Sequence, residues 1–187
     1  RVYDSGKYVT VEDEWTFAPD SRSVVKFDDE AEEVVLYFGD NEAAWFEVDA
    51  RGQSALNLGF TFKYNKEIAD LYPDANIDFL TFTSKPAFNR TGTLWIAADE
   101  DTYLYEVTDD GAKAIAALPT AGAATAELAA GEINGLKWNE DYEAWEFKTR
   151  KLTSYVLSDV ELDEKTVTED TSSSTTDGGK DNPDTGR

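Results

Sequence analysis

Apolar and polar residues alternate with a period of two over most of this chain, the pattern of strands with one buried face. The longest run is Leu56, Leu58, Phe60, Phe62 and Tyr64, with Asn57, Gly59, Thr61 and Lys63 between them. It predicts one strand whose Leu/Phe face is core. Shorter runs predict strands near 8–11, 24–27, 34–38, 44–48, 77–82, 92–97, 103–107, 135–138, 142–148 and 155–157. Gly39-Asp40-Asn41, between an apolar run and an aromatic one, marks a hairpin. Asn65 opens one short helical turn over 66–72, which Pro73 stops.

Three stretches share a grammar of apolar run, acidic turn and aromatic return strand carrying Glu. Ala44-Trp45-Phe46-Glu47-Val48 can be laid over 103–107 and over 144–148. Their unequal spacing excludes a short-period solenoid; internal duplication and the ordinary grammar of hairpins both fit. The Ala-rich segment 112–131 reads as a long connection, with a strand plus loop and one helical turn over 125–130 both open to it. The fold expected is all-β, an antiparallel sandwich of repeated hairpins with one short helix. It occupies residues 1–165, as one module or as two over about 1–88 and 89–165. From 166 to 187 the chain turns polar, and 171–179 holds only Ser, Thr, Asp and Gly. Such a composition cannot bury a core and predicts a flexible spacer.

The chain's 187 residues, 41 % hydrophobic and 13 % aromatic, suffice for a core without metals or disulfides. Cys and His are both absent. That removes thiol nucleophiles, disulfides, zinc fingers, Ser-His-Asp triads and most transition-metal sites. The net charge of −22 repels phosphate backbones and anionic membranes, so no nucleic-acid partner is expected. No stretch has the apolar length of a membrane span, and no direct insertion is expected.

Candidate chemistry then narrows to three questions. Acidic turns containing Asp99, Asp101, Asp109 and Asp110 offer oxygens for calcium, without the spacing of an EF-hand. Solvated acidic turns are the simpler reading. Trp138, Tyr142 and Trp145, crowded by charged residues, are the candidates for a glycan-binding face, because sugar rings stack on aromatic faces beside Asp, Asn and Glu. For Trp95 and Tyr105 core packing is expected. Lys7 and Lys63 could be asked to form an isopeptide bond, though an ordinary surface Lys is the expectation for both. A glycoside hydrolase would need two carboxyls fixed roughly 5–9 Å apart in a cleft, which no spacing here indicates. A non-enzymatic protein is expected.

The C-terminal Asn182-Pro183-Asp184-Thr185-Gly186 resembles the sorting pentapeptide of Gram-positive surface proteins, with Asn where the common form has Leu. Residues 89–94 and 147–159 are similar to segments of uncharacterised secreted Clostridia proteins that end in Asn-Pro-x-Thr-Gly. The resemblance implies a sortase partner that cuts after Thr185 and joins it to peptidoglycan, and hence an extracellular, cell-wall-anchored protein. It also implies an ectodomain trimmed just past the signal. It supplies no activity. Two functions are therefore expected as alternatives: an adhesion module for glycans or host surface proteins, or a stalk that spaces another domain from the wall.

Overall fold

The computed structural model describes residues 2–4, 9–21, 23–107, 115–117 and 133–162. The tail from 166, with the pentapeptide Asn182–Gly186, lies outside them, as do Lys7, Asp109 and Asp110. The strands are β1 (Val2–Asp4), β2 (Val9–Val11), β3 (Glu14–Phe17), β4 (Val24–Phe27), β5 (Val34–Phe38), β6 (Ala44–Val48), β7 (Leu56–Asn57) and β8 (Phe60–Thr61). After the helix α1 (Lys66–Ala69) follow β9 (Ile77–Phe82), β10 (Ala87–Ala97), β11 (Tyr103–Val107) and β12 (Ile115–Ala117). The last three are β13 (Ile133–Asn139), β14 (Ala144–Lys151) and β15 (Ser154–Ser158).

The protein is all-β, and among the described residues the strands form three sheets. A main sheet runs β13-β14-β10-β6-β5-β3, an opposing sheet β12-β11-β15-β9-β8, and a small sheet β1-β2-β4-β7. Pairing is antiparallel except between β2 and β4 and between β3 and β5, which are parallel. The main sheet packs against the other two. Phe38 of the main sheet meets Phe60 and Phe82 of the opposing sheet edge-on, with centroids 5.3 and 4.8 Å apart. Phe147 meets Tyr155 at 5.6 Å, and Phe88 meets Phe27 of the small sheet at 6.1 Å. The burial of Leu36, Phe38, Phe46, Leu94 and Phe147 follows from strand alternation, which puts every second side chain of the main sheet on this inner face.

The run from Leu56 to Tyr64 is not one strand. Leu56–Asn57 pairs with β4 in the small sheet, and Phe60–Thr61 pairs with β9 in the opposing sheet. Between them the Asn57 side chain accepts from the Gly59 amide at 2.9 Å, a local bond that bends the chain from one sheet to the other. Leu58 and Phe60 are core, as the alternation predicts. Phe62 and Tyr64 lie beyond the last ladder pair and are 38 % and 68 % exposed, so the predicted core face ends at Phe60. The helix forms where expected but is shorter than 66–72: Lys66–Ala69 is followed by turn bonds to Tyr72, and the Asn65 side chain caps it by accepting from Ile68 N.

A second apolar cluster covers the far face of the opposing sheet, where Ile68 and Tyr72 pack on Phe79, Tyr105 and Val156. Leu162 completes it, and its amide donates to the Tyr105 hydroxyl at 2.8 Å. Asp159 is clasped to Asn76, accepting from its backbone and side-chain nitrogens at 2.9 Å each. A boundary at 88/89 falls inside β10, and β10 lies between β6 and β14. Both apolar clusters draw residues from either side of that point.

Candidate functional site

Registers place three turns of the main sheet at one end. Phe38 pairs with Ala44, Ala44 with Ile96, Ala97 with Ala144, and Ala144 with Asn139. The turns 39–43, 98–102 and 140–143 therefore leave side by side, and backbone bonds Ala97 N to Ala43 O and Ala98 N to Glu143 O join them. In the opposing sheet, Ser158 pairs with both Tyr103 and Ile77, so β11 and β9 start where β15 ends.

Here the two sheets part around a cleft of about 290 Å³. Ala43 of the turn 39–43 and Ile96 and Ala97 of the main sheet line it, facing Leu80, Leu104 and Leu157 of the opposing sheet. Asn41 and Asp78 add polar atoms to the lining, and the exposed Phe62 contributes an edge of its ring. Phe62 lies over the turn at Gly39, whose φ is +93° and where a Cβ would come within 3.3 Å of the ring. A side chain there would be strained by the backbone and crowded by Phe62.

The main-sheet turns at this end are charged. Every charged residue on the three turns is an acid. Asp40, Glu42, Asp99 and Glu100 are exposed and have no ion-pair partner among the described residues. The same holds for Glu140 and Asp141. Nearby Tyr37 reports the field: burial raises its phenol above the usual value, and the charges of Glu14, Glu42 and Glu47 raise it further.

The turn 140–143 owes its shape to an aromatic cluster on the outer face of the main sheet. Trp45 and Trp95 are cross-strand partners and stack at 5.9 Å with a 16° interplanar angle. Tyr142 sits edge-on to both rings at 5.9 and 5.8 Å. The Trp95 indole donates to Glu146 Oε1 at 2.9 Å, the Asn139 amide donates to the same oxygen at 2.9 Å, and Lys137 lies 3.4 Å from Oε2. Burial alone would raise the Glu146 carboxyl, but these two hydrogen bonds and the Lys137 charge hold it below the ordinary range. Asn139 also accepts from the Tyr142 amide at 2.9 Å, so the turn is fixed at its start as well as its middle.

The three glycan candidates are thus divided between two faces. Tyr142 lies in the turn rather than on a strand and is 55 % exposed on the outer side. Trp145 and Glu146 are adjacent in β14 and point to opposite faces. Trp145 packs against the inner core, with Trp138 edge-on at 5.3 Å, and its indole donates to Thr102 Oγ1 at 3.1 Å. Trp145 and Tyr142 therefore each fasten an acidic turn at the cleft end, one from inside and one from outside. Trp95 is buried and Tyr105 is core. Trp45, which shares strand parity with the exposed Glu47 rather than with Phe46 and Val48, is the outer-face aromatic that the parity of β6 could have located.

Asp99 caps its turn with its carbonyl, accepting from Thr102 N at 3.1 Å and from Thr102 Oγ1 at 2.6 Å. Its carboxylate and that of Asp101 are exposed. No group of three or more His, Cys, Asp or Glu side chains is arranged to hold a metal among the described residues. Lys63 is exposed and pairs with Asp20 at 3.8 Å. No helix among the described residues is long and apolar enough to cross a membrane. No protein-family model matches this chain, and no curated protein matches it in sequence.

Proposed function

We propose that the chain is a non-catalytic binding module, displayed outside the cell and held to peptidoglycan through Asn182–Gly186, with its ligand taken at the turn end of the sandwich. The observation that carries the binding half is the cleft. Between the sheets Phe38, Phe46 and Phe147 have no exposure at all, whereas at this end a cleft opens above the buried Leu80 and Leu104, with Ala97 and Leu157 half-buried at its walls. Concave apolar sites with a few polar groups are where proteins hold ligands. A passive stalk gains nothing from such an opening. Among the described lining residues Asp78 is the lone carboxylate, and they hold no facing pair of the kind glycoside hydrolysis uses.

A neutral apolar probe tests the site. Added to the full chain, it should shift the NMR signals of Phe62, Leu104 and Leu157, and Ala97→Phe, which fills the cleft, should abolish those shifts. Shifts scattered over the surface would sink the reading. The anchoring half is tested separately, by offering the chain to a sortase with an amine acceptor. Transfer at Thr185 with release of Gly186 is expected, and Thr185→Ala should stop it.

One observation favours a second ligand class. Tyr142 presents an exposed ring braced by Trp45 and Trp95, beside the fixed carboxylate of Glu146. A saccharide stacked there would be lost in Tyr142→Ala and unaffected by Ala97→Phe. A glycan array run on both variants separates the two sites.

A further inference from the structure

Resting on the reading of the cleft as a ligand site, we infer that the partner is a cationic polypeptide segment that inserts one apolar or aromatic side chain between the sheets. Two features of the cleft end set this chemistry independently. The first is the lining: an opening of about 290 Å³ walled by Ala43, Ile96, Leu80, Leu104 and Leu157 admits a single side chain rather than an extended ligand. Buried anchors of this kind carry most of the affinity in protein interfaces. The second is the rim. The turns 39–43, 98–102 and 140–143 carry acids and no bases, and the rim acids named above lack ion-pair partners among the described residues.

Carboxylates on adjacent turns repel one another, and a cation arriving between them offsets part of that repulsion. An acidic or neutral partner would leave the repulsion in place. Lys and Arg residues flanking the inserted side chain answer both features at once, since their stems cover apolar surface while their heads reach the carboxylates. The net charge of −22 extends the attraction beyond contact distance and would speed encounter. The rim is also held in place before the partner arrives. Trp145 ties Thr102, and Asn139 with Tyr142 shapes the 140–143 turn, so little ordering remains to oppose binding.

The test titrates the full chain with a short peptide of Lys and Arg around one central Trp, followed by NMR. Binding is expected, with shifts at Phe62, Leu104 and Leu157. Replacing the peptide's Trp by Ala should weaken it by about tenfold or more. Raising salt from about 0.05 to 0.5 M should weaken it by a similar factor, because screening shortens the reach of the rim charges. Asp99→Asn with Glu100→Gln and Asp101→Asn, all on an exposed turn, should weaken the basic peptide and leave the neutral apolar probe unchanged. If the probe enters the cleft and the basic peptide does not bind, the partner chemistry is wrong while the cleft remains a ligand site. If neither binds, both readings fall. Peptide binding that ignores the Trp→Ala change would reduce the contact to unspecific charge attraction and overturn the insertion.

Discussion

The Trp95 indole and the Glu146 carboxylate are cross-strand partners of β10 and β14, joined by a 2.9 Å hydrogen bond on the outer face of the main sheet. That one oxygen also receives the Asn139 amide. Glu146→Ala leaves two donors without their acceptor and Lys137 without its counter-charge, and should cost about 1–3 kcal/mol in urea unfolding. Glu146→Gln keeps one acceptor oxygen and should cost less. Equal losses in the two variants would show that the charge, not the acceptor, matters.

Gly92 of β10 has no room for a side chain. A Cβ there would lie 2.5 Å from the Glu47 carbonyl oxygen and 2.5 Å from Phe46 Cζ. The backbone oxygen cannot move without disturbing the β6 ladder, so Gly92→Ala should destabilise by about 3 kcal/mol, at the upper end of the usual cost of overpacking. Gly135 offers the contrast: nothing lies within 4 Å, and only its φ of +74° opposes a side chain. Gly135→Ala should cost about 1 kcal/mol. Thermal melts of the two variants give the comparison.

Phe60 and Phe62 are two residues apart and should respond differently to truncation. Phe60 is core against Phe38 and Phe82, and Phe60→Ala should cost about 3–5 kcal/mol. Phe62 caps the cleft mouth at 38 % exposure, and Phe62→Ala should cost under about 1.5 kcal/mol by the same burial scale. A large loss at Phe62 would mean that the cleft closes over it in solution.

Acid should expose the carboxylates held by specific partners. Hydrogen bonds from the Arg51 side chain and backbone bring Asp49 down to about 2, and the Asn76 bonds lower Asp159. Unfolded Asp titrates at about 3.9. Each depressed carboxyl therefore adds stability that is complete above that value and fades as pH falls toward its folded pKa. The melting-temperature difference between the native chain and Asp49→Asn should be constant at neutral pH and shrink between about pH 4 and 2. Comparing variants cancels the opposite effect of acid, which relieves repulsion among the other carboxylates.

Local pattern made the strands 34–38, 44–48, 77–82 and 103–107 legible to the residue, along with the Asn65 cap, because each depends on near neighbours. The break at Leu58–Gly59 was not legible. Alternation runs through it unchanged, and only the identity of distant partners, β4 on one side and β9 on the other, divides the run. The parallel pairs β2 with β4 and β3 with β5 are hidden for the same reason. The cleft depends on the spacing between two sheets, which no single strand encodes. The acidic turns around it were visible as turns, but their convergence needed the registers of β6, β10 and β14.

The Asp159–Asn76 clasp and the Leu162–Tyr105 bond bear on how this domain would respond to mechanical load. Tension applied to the chain beyond Leu162 meets those bonds first. Behind them lies β15, which is paired along both edges, with β9 and with β11. It cannot be peeled away as an edge strand; two ladders have to yield together before the second apolar cluster opens. A fold pulled from this terminus would hold its cleft intact until the interior of the opposing sheet ruptured.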